Sequence, residues 1–307
     1  MLHRRQMLAA LGATLLAASP AAAQEKAAPP KLDVVASFSI LGDFVANVGG
    51  DRIALHVLVG PDSDAHVFAP SPADAKTLAA AKLVFVNGLG FEGWMTRLVK
   101  ASGSKAPIVV ATKGIAPRKM AAEEHHGHDH AEETDPHAWQ SVANAKIYVA
   151  NIRDGLIAAD PDGRETYEKN AAAYLAKLDA VEQEVRDAIG RIDPERRRII
   201  ATHDAFGYFG AAYGMAFIAP QGVSTESEAS AKDVARIVRQ IKRQKIPAVF
   251  LENVTDPRLV KRLADETGAK IGGTLYSDAL TGPAGEAPTY LDMMRHNIRT
   301  LAAALTS

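Results

Sequence analysis

The sequence predicts an α/β protein of two β/α lobes that face each other across a cleft and are joined by a long rigid helix. Three observations carry this expectation. Short β-rich runs alternate with helical patterns up to about residue 112, an unbroken helical stripe occupies about 164–190, and the alternation then resumes. Such alternation indicates parallel sheet with helical crossovers. A chain of 307 residues, 47% hydrophobic and 23% charged, is long enough for two lobes of ordinary size.

The first residues, "MLHRRQMLAALGATLLAASPAAAQ", have a positive pair, an apolar run from Met7 to Ala18, and small residues at Ala21, Ala22 and Ala23. This pattern predicts a signal peptide over 1–23, cut after Ala23. Its apolar run is shorter than the roughly 20 residues of a membrane span. Arg4 and Arg5 suit either the twin-arginine route or an ordinary export leader. The chain has no cysteine, which excludes disulfides, thiolate metal ligands and a lipid-anchored cysteine within it. A soluble, exported periplasmic protein is the resulting expectation. The formal net charge of -1 becomes -3 without Arg4 and Arg5, and no basic stripe stands out, so nucleic acid is not an expected partner.

An N-terminal α/β lobe is expected over 24–160. After the polar lead-in "QEKAAPPK", the run "LDVVASF" precedes "SILGDFVANVGG", "ALHVLV" precedes "SPADAKTLAAA", "KLVFVNG" precedes "FEGWMTRLVKAS", and "PIVVAT" closes the series. A polar, acidic, histidine-rich segment at 115–136 interrupts the pattern and is expected to be a mobile loop. From Val142 the pattern is helical. Within the linking helix, assigned to 161–193, Tyr167, Tyr174, Leu178, Val181 and Val185 recur at spacings of three, four and seven, which marks one apolar stripe. Such a helix of about 27 residues spans roughly 40 Å, enough to run behind both lobes. A C-terminal lobe follows over 194–307, with "RRIIATH", "MAFIAPQ", "AVFLEN" and "AKIGGTLYS" as its β-rich runs. Its helical stretches are "AKDVARIVRQIKRQ", "DPRLVKRLADETG" and "TYLDMMRHNIRTLAAAL".

Four candidate metal ligands lie just beyond β-like runs or in a loop returning to helix. His66 follows "LHVLVGPDSDA", His137 lies in "DPHAW", His203 ends "RRIIATH" and Asp278 follows "GGTLYS". Ligands of open α/β sheets bind in the crevice outside the carboxyl ends of the strands. Two such crevices facing each other would bring His66 and His137 from one side and His203 and Asp278 from the other. Taken singly, each histidine also suits an ordinary loop or core position, and spacing alone does not bring them together. Three imidazoles and one carboxylate match a tetrahedral zinc site. Manganese prefers more oxygen ligands, so the nitrogen-rich set favours Zn2+, while copper and nickel also bind such donors.

Five segments together resemble the solute-binding proteins of zinc and manganese ABC importers, the cluster A-I family. They are "VGPDSDAHVFAPSPADAKTLAAAKLVFVNGLGFEGWM", "DPHAWQSVANAKIYVANI", "THDAFGYFGAAYG", "GVSTESEASAKDVARIV" and "YSDALTGPAGEAPTYLDMMRHN". The resemblance covers nearly the whole mature chain. It implies two lobes bridged by a rigid helix, with metal held between them and delivered to an ABC permease in the inner membrane. It places the family's ligands on His66, His137, His203 and Asp278. Manganese-binding relatives carry glutamate at the third position, so His203 looks like the zinc branch. Some zinc members have an acidic residue or proline before the first histidine; Ala65 here offers no extra oxygen, which leaves Asp278 as the fourth ligand. A periplasmic zinc metallochaperone is a further partner known for some relatives, and a monomer is expected.

Histidine-rich loops are also seen in zinc-binding relatives. His125, His126, His128 and His130, among Glu123, Glu124, Asp129, Glu132 and Glu133, are therefore expected to form an auxiliary, weaker zinc-collecting segment. A solvated low-complexity insert is the plainer reading, and a flexible loop spends ordering entropy to bind. His56 and His296 are expected to be structural, Trp94 and Trp139 to pack, with Trp139 also shielding the metal, and Ser230 to cap a helix near Ala231. Capture of zinc without catalysis is the leading expectation. A zinc hydrolase with Asp278 as base is the enzymatic alternative, although no HExxH arrangement is present. A zinc buffer or chaperone using mainly the loop, and a manganese-binding transport component, are the others.

Overall fold

Residues 30–119 and 134–306 are described by the computed structural model. The expected leader over 1–23 and the loop residues His125, His126, His128 and His130 lie outside them. The first sheet is built from β1 (Leu32–Phe38), β2 (Ile53–Val59), β3 (Leu83–Val86) and β4 (Ile108–Val110), connected through α1 (Ser39–Gly49), α2 (Pro72–Ala80) and α3 (Met95–Ser102). All its pairings are parallel, in the order β2-β1-β3-β4. β3 is buried along its whole length, and its continuous apolar run "LVFV" is what a parallel strand covered on both faces requires.

Short strands β5 (Arg118–Lys119) and β6 (Thr134–Asp135) then pair antiparallel, Arg118 opposite Asp135 and Lys119 opposite Thr134. The segment expected to be a mobile loop over 115–136 is thus held at both of its ends by an ordered ribbon. α4 (Val142–Ala159) and α5 (Arg164–Gly190) follow. On α5, Tyr167, Ala171, Tyr174, Leu178, Val181, Val185 and Ile189 are buried, which extends the stripe read from the sequence by two residues. That face packs against α1 and α4, and also against α6 (Gly207–Tyr213) and α9 (Tyr290–Leu305).

The second sheet repeats the first in plan. β7 (Arg198–Ile200), β8 (Ala216–Ile218), β9 (Ala248–Glu252) and β10 (Lys270–Leu275) are parallel in the order β10-β9-β7-β8, with α7 (Ala231–Gln244) and α8 (Arg258–Thr267) among the connections. In each sheet the first strand sits inside, with the second on one flank and the third on the other. Each therefore has a switch point where its crossovers diverge, the ordinary place for a ligand crevice.

Helix ends obey local chemistry. Ser71 and Asp74 form a reciprocal capping box at α2, with Pro72 in its first turn. Ser230 caps α7 by accepting from Asp233 N, and Thr289 caps α9 by accepting from Asp292 N. The main core runs from Phe38 and Phe44 through Trp139 and Tyr148 to Tyr290 and Leu301. A smaller one, including Ile200, Ile237, Val249 and Leu263, lies under α7 and α8. Helix α6 was not among the helical stretches read from the sequence, because glycine and aromatic residues in "GYFGAAY" leave no clean apolar period.

Candidate metal centre

The four proposed ligands come from four separate turns. His66 lies in the turn after β2, where Asp64 Oδ1 accepts from its backbone N–H at 2.9 Å. His137 follows β6, and Asp135 Oδ1 accepts from both its backbone N–H and its Nδ1, each at 2.9 Å. A carboxylate accepts hydrogen bonds, so Nδ1 carries a proton and Nε2 is the nitrogen turned toward the cluster, free to bind a cation once its own proton has left. His203 leaves the end of β7, and Asp278 leaves β10.

These turns meet. The donor atoms of His66, His137, His203 and Asp278 all lie within 4.8 Å of one another. His66 Nε2 is 3.3 Å from His137 Nε2 and 3.3 Å from Asp278 Oδ2, and His203 Nε2 is 3.0 Å from the same oxygen. Asp278 Oδ1 stands 3.5 Å from His137 Nε2, beyond a normal hydrogen bond. An ion with four bonds of about 2.0 Å sets its ligands roughly 3.3 Å apart at tetrahedral angles. The spacing therefore fits a cation at the centre. Among the described residues, no other group of His, Asp and Glu converges in this way.

Burial sharpens the chemistry. His137, His203 and Asp278 are fully buried, while His66 retains 8% exposure and lines a cavity of about 450 Å³ with Phe91, Pro136, Val223 and Glu226. Phe91 packs edge-on to His66 at 4.7 Å and Trp139 edge-on to His137 at 5.2 Å, forming an apolar wall. Trp94 is buried as well, its Nε1 donating to Ala65 O at 2.8 Å. His296 sits in a structural setting, its Nε2 against Thr274 O and Thr300 Oγ1 and its Nδ1 3.5 Å from Glu286 Oε2, whereas His56 is exposed on the edge strand β2 and belongs to no core.

The protonation states follow from the same packing. Burial pushes the His137 imidazole down, yet the charges of Asp278 and Asp135 and the hydrogen bond to Asp135 outweigh it and raise the group to about 9. Burial likewise opposes charge on His203, and Glu252 with Asp278 raises it well above the ordinary histidine range. Burial alone would raise Asp278, but the imidazoles of His203 and His137 hold it well below the usual carboxylate range. Without a metal the cluster thus holds imidazolium and carboxylate together. A divalent cation replaces the protons at the same point in space.

Three carboxylates behind the imidazoles were not singled out from the sequence. Glu252, at the end of β9, accepts from the backbone of Thr202 at 2.6 Å and of His203 at 3.0 Å, and its Oε2 lies 2.6 Å from His203 Nδ1. Asp135 likewise holds both the backbone and the ring of His137, whereas Asp64 accepts from the backbone N–H of His66 alone. Both lie two residues before a candidate ligand, a spacing that lets a side-chain oxygen reach a backbone N–H two residues on. Glu252 had a weaker signal, its place at the end of the strand beside the one bearing His203. Loop contacts complete the site: Ser277 O accepts from Trp139 Nε1 at 2.9 Å and from Gln140 Nε2 at 2.7 Å, and Leu280 N donates to Ser39 Oγ at 3.0 Å. The Asp278 turn is therefore held by the first lobe, though the second supplies it.

Two parallel-sheet lobes with a buried three-histidine, one-aspartate cluster between their carboxyl ends define a substrate-binding protein of the metal-transporting ABC class. The chain belongs to the family ZnuA, the periplasmic zinc-uptake complex component A, whose model matches residues 34–304. It is 35% identical over 275 residues to the manganese-binding lipoprotein MntA of Halalkalibacterium halodurans, covering 90% of this chain and 89% of that protein. It is 33% identical over 272 residues to the iron-binding protein YfeA of Yersinia pestis, covering 89% and 86%. The solved periplasmic zinc binding protein TroA from Treponema pallidum is 31% identical, with a TM-score of 0.82 over 91% of this chain and 100% of that one. The relatives' names span three metals, so the family is fixed while the resemblance to a zinc branch is not decided by them.

Proposed function

We propose that this chain captures zinc in the periplasm and presents it to an ABC importer, with His66, His137, His203 and Asp278 as the ligands. The observation that supports this is the convergence of three imidazoles and one carboxylate on a single buried point. The donor set favours zinc because nitrogen-rich, four-ligand sites suit it, whereas manganese takes more oxygen ligands. The zinc ion is the cargo, and the site performs no reaction on it. All four positions are filled by protein, and a catalytic zinc keeps one open for water.

The family works with a permease and an ATPase, and the same partners serve this reading. In this reading the pattern at 1–23 serves as an export leader to the periplasm. No helix among the described residues is long and apolar enough to cross a membrane. Relatives are named lipoproteins, and these 307 residues contain no cysteine. The histidines at 125, 126, 128 and 130 serve as an auxiliary collector in this reading.

A second reading, manganese as cargo, is favoured by the names of several similar proteins. Metal analysis of protein from its native compartment, with competition between zinc and manganese, separates the two. One zinc per chain, lost on His203→Ala and retained after deletion of residues 123–133, is the expected result. One manganese displacing zinc at equal concentration would reverse the assignment. Equal losses from the two changes would remove His203 from the site.

A further inference from the structure

The segment between β8 and α7, "APQGVSTESEAS", belongs to the second lobe, yet its Thr225 reaches across the cleft. Thr225 Oγ1 donates to Asp64 Oδ2 at 2.6 Å. The other oxygen of that carboxylate accepts from the backbone N–H of His66 at 2.9 Å. One carboxylate thus ties a ligand's main chain to a hydroxyl on the opposite lobe. The segment's backbone bonds run back to its own side: Asp204 N donates to Gly222 O and Gln221 N to Thr202 O. The Thr225 bond is therefore a discrete link rather than part of a continuous strand pairing.

Its position matters for the ion. Two cavities flank the link, one of about 450 Å³ lined by His66, Val223, Ser224 and Glu226, the other of about 460 Å³ lined by Asp64, Thr202, Gln221 and Thr225. His66 is the one candidate ligand that keeps measurable exposure, while His137, His203 and Asp278 have none. Departure of the ion toward solvent thus begins at His66. The Asp278 turn is anchored separately through Ser277, Leu280 and Asp62, whose backbone N–H donates to Leu280 O at 2.8 Å. Breaking the Thr225 bond leaves that anchor intact and frees the segment over His66.

We propose that Thr225 is a positioning residue that governs release of the bound ion, by holding Asp64 and through it the main chain of His66. This rests on the reading that the four-residue cluster holds the cargo. A hydrogen bond to a charged acceptor that closes the site slows dissociation while leaving encounter unchanged.

The test loads the full chain with zinc and follows its loss to excess chelator by stopped flow. Thr225→Val, which keeps the shape and removes the hydroxyl, is expected to release zinc about tenfold faster with the association rate unchanged. Thr225→Ser is expected to keep the parent rate, and all variants to stay folded and bind one zinc per chain. Thr225→Ala serves as a second loss-of-hydroxyl variant should the valine not fold. A parent-like release rate in either hydroxyl-free variant, with one zinc still bound, would overturn the proposal and leave the site assignment standing. A slowed association rate of equal size would overturn it too, since that marks a general distortion. A parent chain that held no zinc would overturn the functional reading, and the latch with it.

Discussion

Glu252 Oε2 lies 2.6 Å from His203 Nδ1, and His203 Nε2 in turn lies 3.0 Å from Asp278 Oδ2. The imidazole is therefore clamped between two carboxylates at or just past the ends of neighbouring strands, one at each ring nitrogen. Glu252 also accepts from two successive backbone N–H groups, at Thr202 and His203, so the turn and the ring are oriented by one side chain.

Replacing Glu252 by Gln keeps the shape but removes the charge that stabilises a metal-bound imidazole. Outer carboxylates of this kind typically contribute about 10- to 100-fold in affinity. Glu252→Gln is expected to weaken zinc binding by that factor, measured by competition with a chelator of known affinity. An affinity within twofold of the parent would show that the tautomer is set without the charge.

Gly207 tests the partner of His137. A Cβ at this position would meet Asp135 Oδ2 at 2.6 Å and the Arg118 guanidinium at 2.9 Å. Asp135 is buried, orients His137 through Nδ1 and faces Arg118 Nε at 3.4 Å, so it has little room to withdraw. Gly207→Ala is expected to lower both the unfolding temperature and the zinc affinity. Retained affinity in a destabilised variant would show that Arg118 and Asp135 shift together without turning the ring.

Much of this was legible in the residues. The two β-then-helix series and the stripe Tyr167, Tyr174, Leu178, Val181 and Val185 are periodic, and periodicity survives without tertiary information. The four converging side chains were read from their places after strands together with a family resemblance, since spacing alone left each histidine an ordinary alternative. Asp135, Asp64 and Glu252 escaped notice because acidic residues at strand ends and in turns are common, and only the packed structure shows which of them face a ring nitrogen or a candidate ligand's backbone. Helix α6 escaped because Gly207 and Gly210 serve close approach rather than helical propensity, Gly210 lying against Met215 O. The pairing of β5 with β6 joins residues separated by a polar stretch, which no local pattern announces.

Leu178 separates stability from binding. It is fully buried on α5, in the face that packs against elements of both lobes. Leu178→Ala is expected to cost about 2–5 kcal/mol of unfolding free energy through lost contact and a residual cavity. Zinc stoichiometry in the folded protein should remain one per chain, because no ligand turn starts from α5. Loss of stoichiometry at a temperature where the variant is folded would show that the helix sets the site's geometry directly.

The pH response should differ in sign between the metal-free and the loaded protein. His137 is raised to about 9 in the folded chain, so its contribution to metal-free stability is fully present below the unfolded histidine value of about 6.5 and fades as pH rises through 9. His203, raised in the same direction, adds to that trend. Asp278 is held low, so its contribution is present above about pH 4 and is lost only in stronger acid. Zinc requires both imidazoles neutral, and binding near pH 7.5 should therefore expel about two protons. Calorimetric titrations in two buffers of different ionisation enthalpy measure that number directly. The rise in unfolding temperature caused by zinc should grow steadily from pH 6 to pH 9. A rise that levelled off at pH 7, with no proton released, would mean that the imidazoles are already neutral before the ion arrives, and that the carboxylates around them do not hold charge in the empty site.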